Sequence, residues 1–171
     1  RQNFVYLNVG RGFFRAGRRL GEELDTSYRA AFADFDGDGD LDIAVGNDRW
    51  RKQIYINDGL GDFKMMGTFE RPDEPTRNLV IADVDADGSP DILVCNRGMP
   101  SSIYFNDGGG TFGRSSLLGN STNSTIAVAV ADFDRDGSPQ LAMANREKPP
   151  NLFITGGRQL TFGAGFEEPR A

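Results

Sequence analysis

The chain has 171 residues, a formal net charge of -6, 22 glycines and a hydrophobic share of 38%. Its length allows one domain with a sizeable core. No apolar run is long enough to span a membrane, and a single cysteine, Cys95, excludes an intrachain disulfide. Because Cys95 lies within an apolar segment, we expect it to be a small buried residue.

An aromatic residue inside an apolar triplet recurs along the chain at a constant interval. The triplets are residues 5–7, 54–56, 103–105 and 152–154, and their central residues lie 49 positions apart. We predict that each triplet forms a strand. The second and third triplets lead into an Asn-Asp-Gly turn, which between apolar runs is a strong signal for a β-hairpin. A period of this length is typical of propellers, solenoids and other arrays.

Three aspartate-rich loops recur with the same period, at residues 34–42, 83–91 and 132–140. Each loop lies between two apolar segments, and no window shows sustained helical periodicity. We therefore predict one strand before and one strand after each loop. The strands before are residues 30–35, 79–84 and 126–133, and those after are residues 43–45, 92–95 and 141–144.

Together these segments predict an all-β fold in which each 49-residue unit forms one β-propeller blade of four antiparallel strands. Residues 28–69, 77–118 and 126–166 make three full blades, and residues 3–20 supply half a blade. We expect a single propeller domain, or part of one, with about three and a half blades. Because closure normally needs about four blades, we also expect a homo-oligomer or a place in a longer propeller.

Alternating carboxylates around a glycine are what a hard, oxygen-seeking cation requires. In the first loop, the side chains at positions 1, 3, 5 and 9 can converge on one ion, and the carbonyl at position 7 can add an oxygen. The nearest alternative, an EF-hand, needs flanking helices and a glutamate at position 12. This chain has Val45, Val94 and Met143 at that position.

The pattern Asp-x-Asp-x-Asp-Gly-x-x-Asp between two strands, followed by Tyr-hydrophobic-Asn-Asp-Gly, resembles the FG-GAP/VCBS repeat. The resemblance covers essentially the whole chain. It implies a calcium-binding β-propeller like those of integrin α-subunit heads and of secreted bacterial and fungal proteins, some of them lectins. An extracellular, periplasmic or cell-surface location is therefore expected.

The resemblance also implies the calcium ligands. The first site would use the side chains of Asp34, Asp36, Asp38 and Asp42 with the Asp40 carbonyl, and the second those of Asp83, Asp85, Asp87 and Asp91 with the Ser89 carbonyl. The third would use Asp132, Asp134, Asp136 and the Ser138 carbonyl. Its position nine is Gln140, whose amide offers only a neutral oxygen, so we expect two strong sites and a weaker third.

The loops at the opposite end of the blades are basic. We expect Arg49, Trp50, Arg97 and Arg146 to line a ligand-binding face there, although solvated surface is the commoner role of an arginine.

We expect a non-catalytic, calcium-stabilised binding module for a protein or a glycan, with cell adhesion or carbohydrate binding as its context. The chain has no histidine, Gly-x-Ser-x-Gly or phosphate loop, and the obvious aspartates are committed to metal. One alternative is a structural or assembly propeller without a separate ligand. Another is the non-catalytic part of a polysaccharide-active enzyme. We expect no nucleic-acid partner and no membrane insertion.

Overall fold

The computed structural model describes residues 2–22, 26–48, 51–69, 74–118, 124–146, 151–156 and 159–162. The secondary structure of these residues is β throughout, and none of them forms a helix long and apolar enough to cross a bilayer. In chain order the strands are β1 (Asn3–Val5), β2 (Arg18–Leu20), β3 (Ser27–Ala33), β4 (Asp42–Asn47), β5 (Lys52–Asn57), β6 (Phe63–Phe69), β7 (Thr76–Ala82), β8 (Asp91–Asn96), β9 (Ser101–Phe105), β10 (Arg114–Leu118), β11 (Thr125–Ala131), β12 (Gln140–Asn145), β13 (Asn151–Gly156) and β14 (Gln159–Phe162).

The strands form one two-stranded and three four-stranded antiparallel sheets, which confirms the all-β propeller fold class. The half sheet is β1–β2, sheet I is β3–β6, sheet II is β7–β10 and sheet III is β11–β14. Within each full sheet the strands follow chain order, so each strand pairs with its neighbours in the sequence. We call the first two strands of a full sheet its inner pair and the last two its outer pair; the half sheet is an outer pair.

The second strand of sheets I and II is buried at every position, because neighbouring sheets cover both of its faces. Alternate side chains point to opposite faces of a strand. Ile92 and Val94 accordingly pack with residues of sheet I, whereas Leu93 and Cys95 pack with residues of sheet III. Cys95 is buried as expected, and this burial raises the pKa of its thiol to about 12.

The first strand differs from the prediction. Residues 5–7 were expected to form a strand, but β1 ends at Val5. In sheets I and II the corresponding strand extends further, to Asn57 and Phe105, and it has a paired strand at both of its edges. In the described part of the chain, β1 pairs only with β2, and the ladder continues as one isolated bridge between Asn8 and Phe14.

A buried ion pair joins sheets I and II. The Lys52 ammonium of β5 lies 3.5 Å from a carboxylate oxygen of Glu74, and both side chains are almost fully buried. Glu74 also accepts hydrogen bonds from Ser102 Oγ (2.8 Å) and Tyr104 Oη (3.1 Å) of sheet II. A buried charge is tolerated only when it is paired and hydrogen-bonded, so Glu74 links the two sheets through one carboxylate.

We predict that Glu74→Ala lowers the free energy of unfolding by about 3 kcal/mol, because it removes a carboxylate partner of the buried Lys52 charge and the acceptor of the Ser102 and Tyr104 hydroxyls. Lys64→Ala, at an exposed position of β6, is the control and should change stability by no more than about 0.5 kcal/mol. Urea unfolding measures both. Equal effects of the two substitutions would refute a role for this ion pair in joining the sheets.

Candidate metal centre

The first aspartate of each loop folds the chain back by accepting backbone hydrogen bonds. Asp34 accepts from the amides of Gly37 (2.8 Å), Asp38 (3.1 Å) and Gly39 (2.9 Å). Asp83 and Asp132 repeat two of these contacts, with the amides at positions 5 and 6 of their loops. A short carboxylate that accepts from the following amides is the usual way to stabilise such a turn.

Two residues in each loop have left-handed backbone. At position 6 they are glycines, as the sequence suggested, with φ near 90°. At position 4 they are Gly37, Ala86 and Arg135, with φ of 78°, 59° and 63°. Left-handed backbone costs a residue with a β-carbon on the order of 1 kcal/mol. The sequence analysis missed this second position, although Gly37 in the first loop was a signal for it.

The aspartate at position 9 is the most buried aspartate of each of the first two loops. Asp42 accepts from the Phe35 amide of its own loop and from the Asn57 amide at the end of β5, both at 2.8 Å. Asp91 does the same with the amides of Val84 (2.9 Å) and Asn106 (2.9 Å). Each carboxylate therefore holds its loop against the third strand of its sheet.

Burial also affects the ionisation of these two aspartates. Desolvation raises the pKa of Asp42, and it raises that of Asp91 to about 6, while the two backbone amides oppose the rise. Neighbouring loop carboxylates, such as Asp85 and Asp87 beside Asp91, raise the pKa further. A cation bound among these groups would favour the charged form.

The structure brings three carboxylates together in each of the first two loops. Oxygens of Asp34, Asp36 and Asp42 lie within 4.8 Å of one another, as do those of Asp83, Asp85 and Asp91. Two oxygens that bind one calcium ion at 2.3–2.6 Å are at most about 5 Å apart. Both clusters contain only oxygen donors, so their chemistry and size fit calcium.

The position-5 carboxylates, Asp38 and Asp87, lie outside these two close clusters. Each accepts a backbone hydrogen bond instead, from the amide of Asp40 (2.9 Å) and of Ser89 (2.8 Å) respectively. These bonds hold the position-7 residues, whose carbonyls the resemblance implies as ligands. The loops therefore place the predicted ligands on one short turn, with three of the side chains already convergent.

In the second loop, a cation of the protein already contacts one of the predicted ligands. The Arg114 guanidinium forms an ion pair with Asp85 and lies 3.7 Å above the Phe105 ring. Arg114 pairs with Phe105 across β9–β10, and the residue that pairs in the same way in sheet I is Lys64, opposite Ile56. Among the described residues, Lys64 forms no ion pair with Asp36. The contact of Arg114 with the second loop was missed from the sequence.

In the third loop, the close cluster consists of Asp132, Asp134 and Asp136, all of them exposed. Gln140 does not offer its oxygen to this cluster, because Oε1 accepts the Phe133 amide. Its Nε2 donates instead to Asp134 Oδ1 and to the Ser138 carbonyl, both at 2.8 Å. The amide group thus occupies two of the oxygens predicted to bind metal, although the three clustered carboxylates of this loop also offer only oxygen donors.

The ligand-binding role expected of the opposite, basic face stays a prediction. Arg97 and Arg146 have exposed side chains, and their backbone amides donate to the Pro75 and Ser124 carbonyls at 3.0 Å. Arg49 and Trp50 lie outside the described residues.

A concavity of about 630 Å³ lies beside the first aspartate loop. It combines polar groups, among them Asp36, Asn57 and Asp58, with the apolar side chains of Phe63 and Met65. The Leu60 and Asp62 amides donate to Asp58 and hold its pKa below the usual value, so this carboxylate is charged at neutral pH. Such a mixture of apolar and polar lining groups is typical of small-ligand sites.

Comparisons with known proteins support the repeat and the fold. The family model for the FG-GAP-like repeat matches residues 1–45, 34–94 and 83–143. A search among curated proteins found no match. A similar solved structure is described as showing specific recognition of non-reducing terminal N-acetylglucosamine by an Agrocybe aegerita lectin. It has a TM-score of 0.58 and 22% identity, and the alignment covers 90% of this chain but only 43% of the lectin chain. This likeness shows the fold.

We predict that the buried position-9 aspartate supports the fold even when calcium is chelated. In EDTA, Asp91→Ala should lower the free energy of unfolding by about 3 kcal/mol, because two buried amides lose their acceptor. Asp87→Ala, at an exposed position of the same loop, should cost less than about 1 kcal/mol. Denaturant unfolding measures the free energy of unfolding of both variants. Similar losses of stability in the two would contradict the prediction.

Proposed function

Because the chain belongs to the FG-GAP-like repeat family, we propose that it is a non-catalytic β-propeller module that binds calcium for stability and a glycan as its ligand. The observation that carries the proposal is the convergence of three carboxylates in each of the first two loops. A location outside the cytosol, where calcium is abundant enough for loops of modest affinity, fits this function.

Calcium would stabilise the sheets through the position-9 aspartates. Asp42 and Asp91 each belong to an oxygen cluster and also hold the third strand of their sheet. An ion bound to the native loops alone stabilises the fold by mass action, and it offsets the repulsion among their carboxylates. In each of these loops one carboxylate therefore contacts both the third strand and the carboxylate cluster that would hold the ion.

The three loops are proposed to differ in affinity. The first combines three convergent carboxylates, and Lys64, which pairs across its sheet as Arg114 does, forms no ion pair with Asp36 among the described residues. In the second, the ion must compete with Arg114 for Asp85. In the third, the Gln140 amide replaces the ion as the partner of Asp134 and Ser138, so we propose that this loop binds no calcium under conditions that fill the other two.

We place the glycan in the concavity beside the first loop, which we call the rim pocket (Asp36, Asn57, Asp58, Phe63, Met65). Carboxylates and amides can hydrogen-bond sugar hydroxyls, and apolar side chains can pack against the C–H faces of a sugar ring. The similar lectin structure makes terminal N-acetylglucosamine the first ligand to test. The basic face with Trp50 is the alternative position.

We predict two calcium-binding events in a calorimetric titration of the unaltered chain, with the first site tighter than the second. Gln140→Asp should add a third event, because a carboxylate replaces the amide that now donates to the ligands. Arg114→Met should tighten the second site by removing its competitor, and should leave the first unchanged. Three equal sites in the unaltered chain, or none, would contradict this.

We predict that Asp58→Asn weakens glycan binding at least tenfold, because a hydrogen bond to a charged group contributes about 1.5–3 kcal/mol. The asparagine oxygen can still accept the turn amides, so the pocket should keep its shape. The measurement is a glycan array in calcium that includes terminal N-acetylglucosamine, followed by titration of the best ligand.

Asp107→Asn is the matched control, since residue 107 has the same position in sheet II and accepts the same kind of turn hydrogen bonds. It should leave glycan binding unchanged. Loss of binding in Trp50→Ala alone would move the site to the basic face. An array with no ligand, combined with intact calcium binding, would favour a structural propeller and reject the glycan proposal.

A further inference from the structure

A second concavity, of about 620 Å³, separates the half sheet from the inner strands of sheet I. We call it the half-sheet groove. Its lining includes Phe4, Tyr6, Tyr28, Phe32 and Leu41, and all five side chains are substantially exposed. Phe32 is 59% exposed and Leu41 is 60% exposed. Large apolar side chains grouped at such exposure mark an interaction surface.

The 49-residue repeat shows what covers the corresponding surface elsewhere in the molecule. Between sheets I and II the buried cluster includes Ile54, Phe69, Ile92, Val94, Tyr104 and Phe112. Subtracting 49 from each number gives Val5, Leu20, Ile43, Val45, Tyr55 and Phe63, which form the cluster between the half sheet and sheet I. The two interfaces are therefore built from the same positions of the repeat.

The first interface nevertheless lacks one set of residues. The cluster between sheets I and II also contains Phe35, Ala44, Ala31 and Ala33, which come from the inner pair of sheet I and the start of its loop. Their counterparts would belong to an inner pair beside β1, and the half sheet has only an outer pair. The side chains that such a pair would cover include Phe32, whose counterpart Ile81 is partly buried.

The missing inner pair also changes a hydrogen bond, which differs between the two interfaces. Asn106, at the end of β9, is buried and donates from Nδ2 to the Phe35 carbonyl in the loop of the neighbouring sheet, at 2.9 Å. Its counterpart Asn57 is more exposed and donates instead to the Leu41 carbonyl of its own sheet, at 3.1 Å. The loop between the two strands of a further inner pair would present a carbonyl to Asn57 as Phe35 does to Asn106.

The strand count of the described residues argues against a second copy as the occupant. They form four outer pairs but three inner pairs, so another copy has the same deficit and no spare inner pair. We propose that the half-sheet groove binds the inner pair of a further unit of this repeat, a β-hairpin with an aspartate loop from outside residues 1–171. The hairpin would pair with the second edge of β1 and pack on Phe32.

The test places a copy of residues 27–49 directly ahead of Arg1 in the full chain, which keeps the 49-residue register. Phe32→Cys, introduced in the original sheet I only, reports the accessibility of the groove to a thiol reagent. Labelling should slow at least tenfold in the extended chain, and its melting temperature should rise by several degrees. Buried Cys95 should contribute little background labelling.

Two controls separate specific docking from general effects. Phe133→Cys replaces a similarly exposed phenylalanine in the aspartate loop of sheet III. It should label at the same rate with and without the extension. An extension whose copied segment carries Phe35→Asp and Asp42→Ala should fail to protect position 32. Unchanged labelling with the intact extension would overturn the proposal. So would concentration-dependent protection of the unextended chain, because a second copy would then occupy the groove.

Discussion

The structure depends on the aspartate at position 9 of the first two loops, which is a buried carboxylate with two backbone amides as partners. In sheets I and II this aspartate fixes its own loop and the end of the third strand at once. A carboxylate is costly to bury, and its cost is offset only by hydrogen bonds or a nearby cation. The loop that collects oxygens for an ion is therefore also the loop that assembles the sheet. We propose that metal binding and folding are coupled through this side chain.

Small departures from the repeat then give each unit a different property. Gln140 keeps the backbone contact of the position-9 residue, since its oxygen accepts the Phe133 amide, but its amide nitrogen faces the oxygens that would bind metal. Arg114 forms an ion pair with Asp85 in the second loop, whereas a pocket lined by Asp36, Lys64 and Met65 lies beside the first. The three units thus share one backbone plan and differ in the charge next to their loops. We propose that these differences, rather than the shared backbone, decide which loops hold ions and where a ligand binds.

The sheets could be predicted from the sequence because the signals repeat and are local. The apolar segments, the Asn-Asp-Gly turns and the aspartate spacing each recur at 49 residues. The observed strands lie at or near the segments that these signals predicted. The end of β1 was misjudged because a strand ends where its pairing ends, and the missing partner of β1 is not a local property. The contacts of Arg114 and Gln140 were missed for a similar reason. Which oxygen or nitrogen of a side chain faces a site depends on the amides around it, and the sequence does not place them.

Amide hydrogen exchange at single-residue resolution, with and without calcium, tests the central claim most directly. If the position-9 carboxylates couple the ion to the fold, calcium should slow exchange at the Phe35, Val84, Asn57 and Asn106 amides, which donate to Asp42 and Asp91. The Phe133 amide, which donates to Gln140, should exchange at the same rate in both conditions. A uniform response of all five amides, or no response at any of them, would contradict the account.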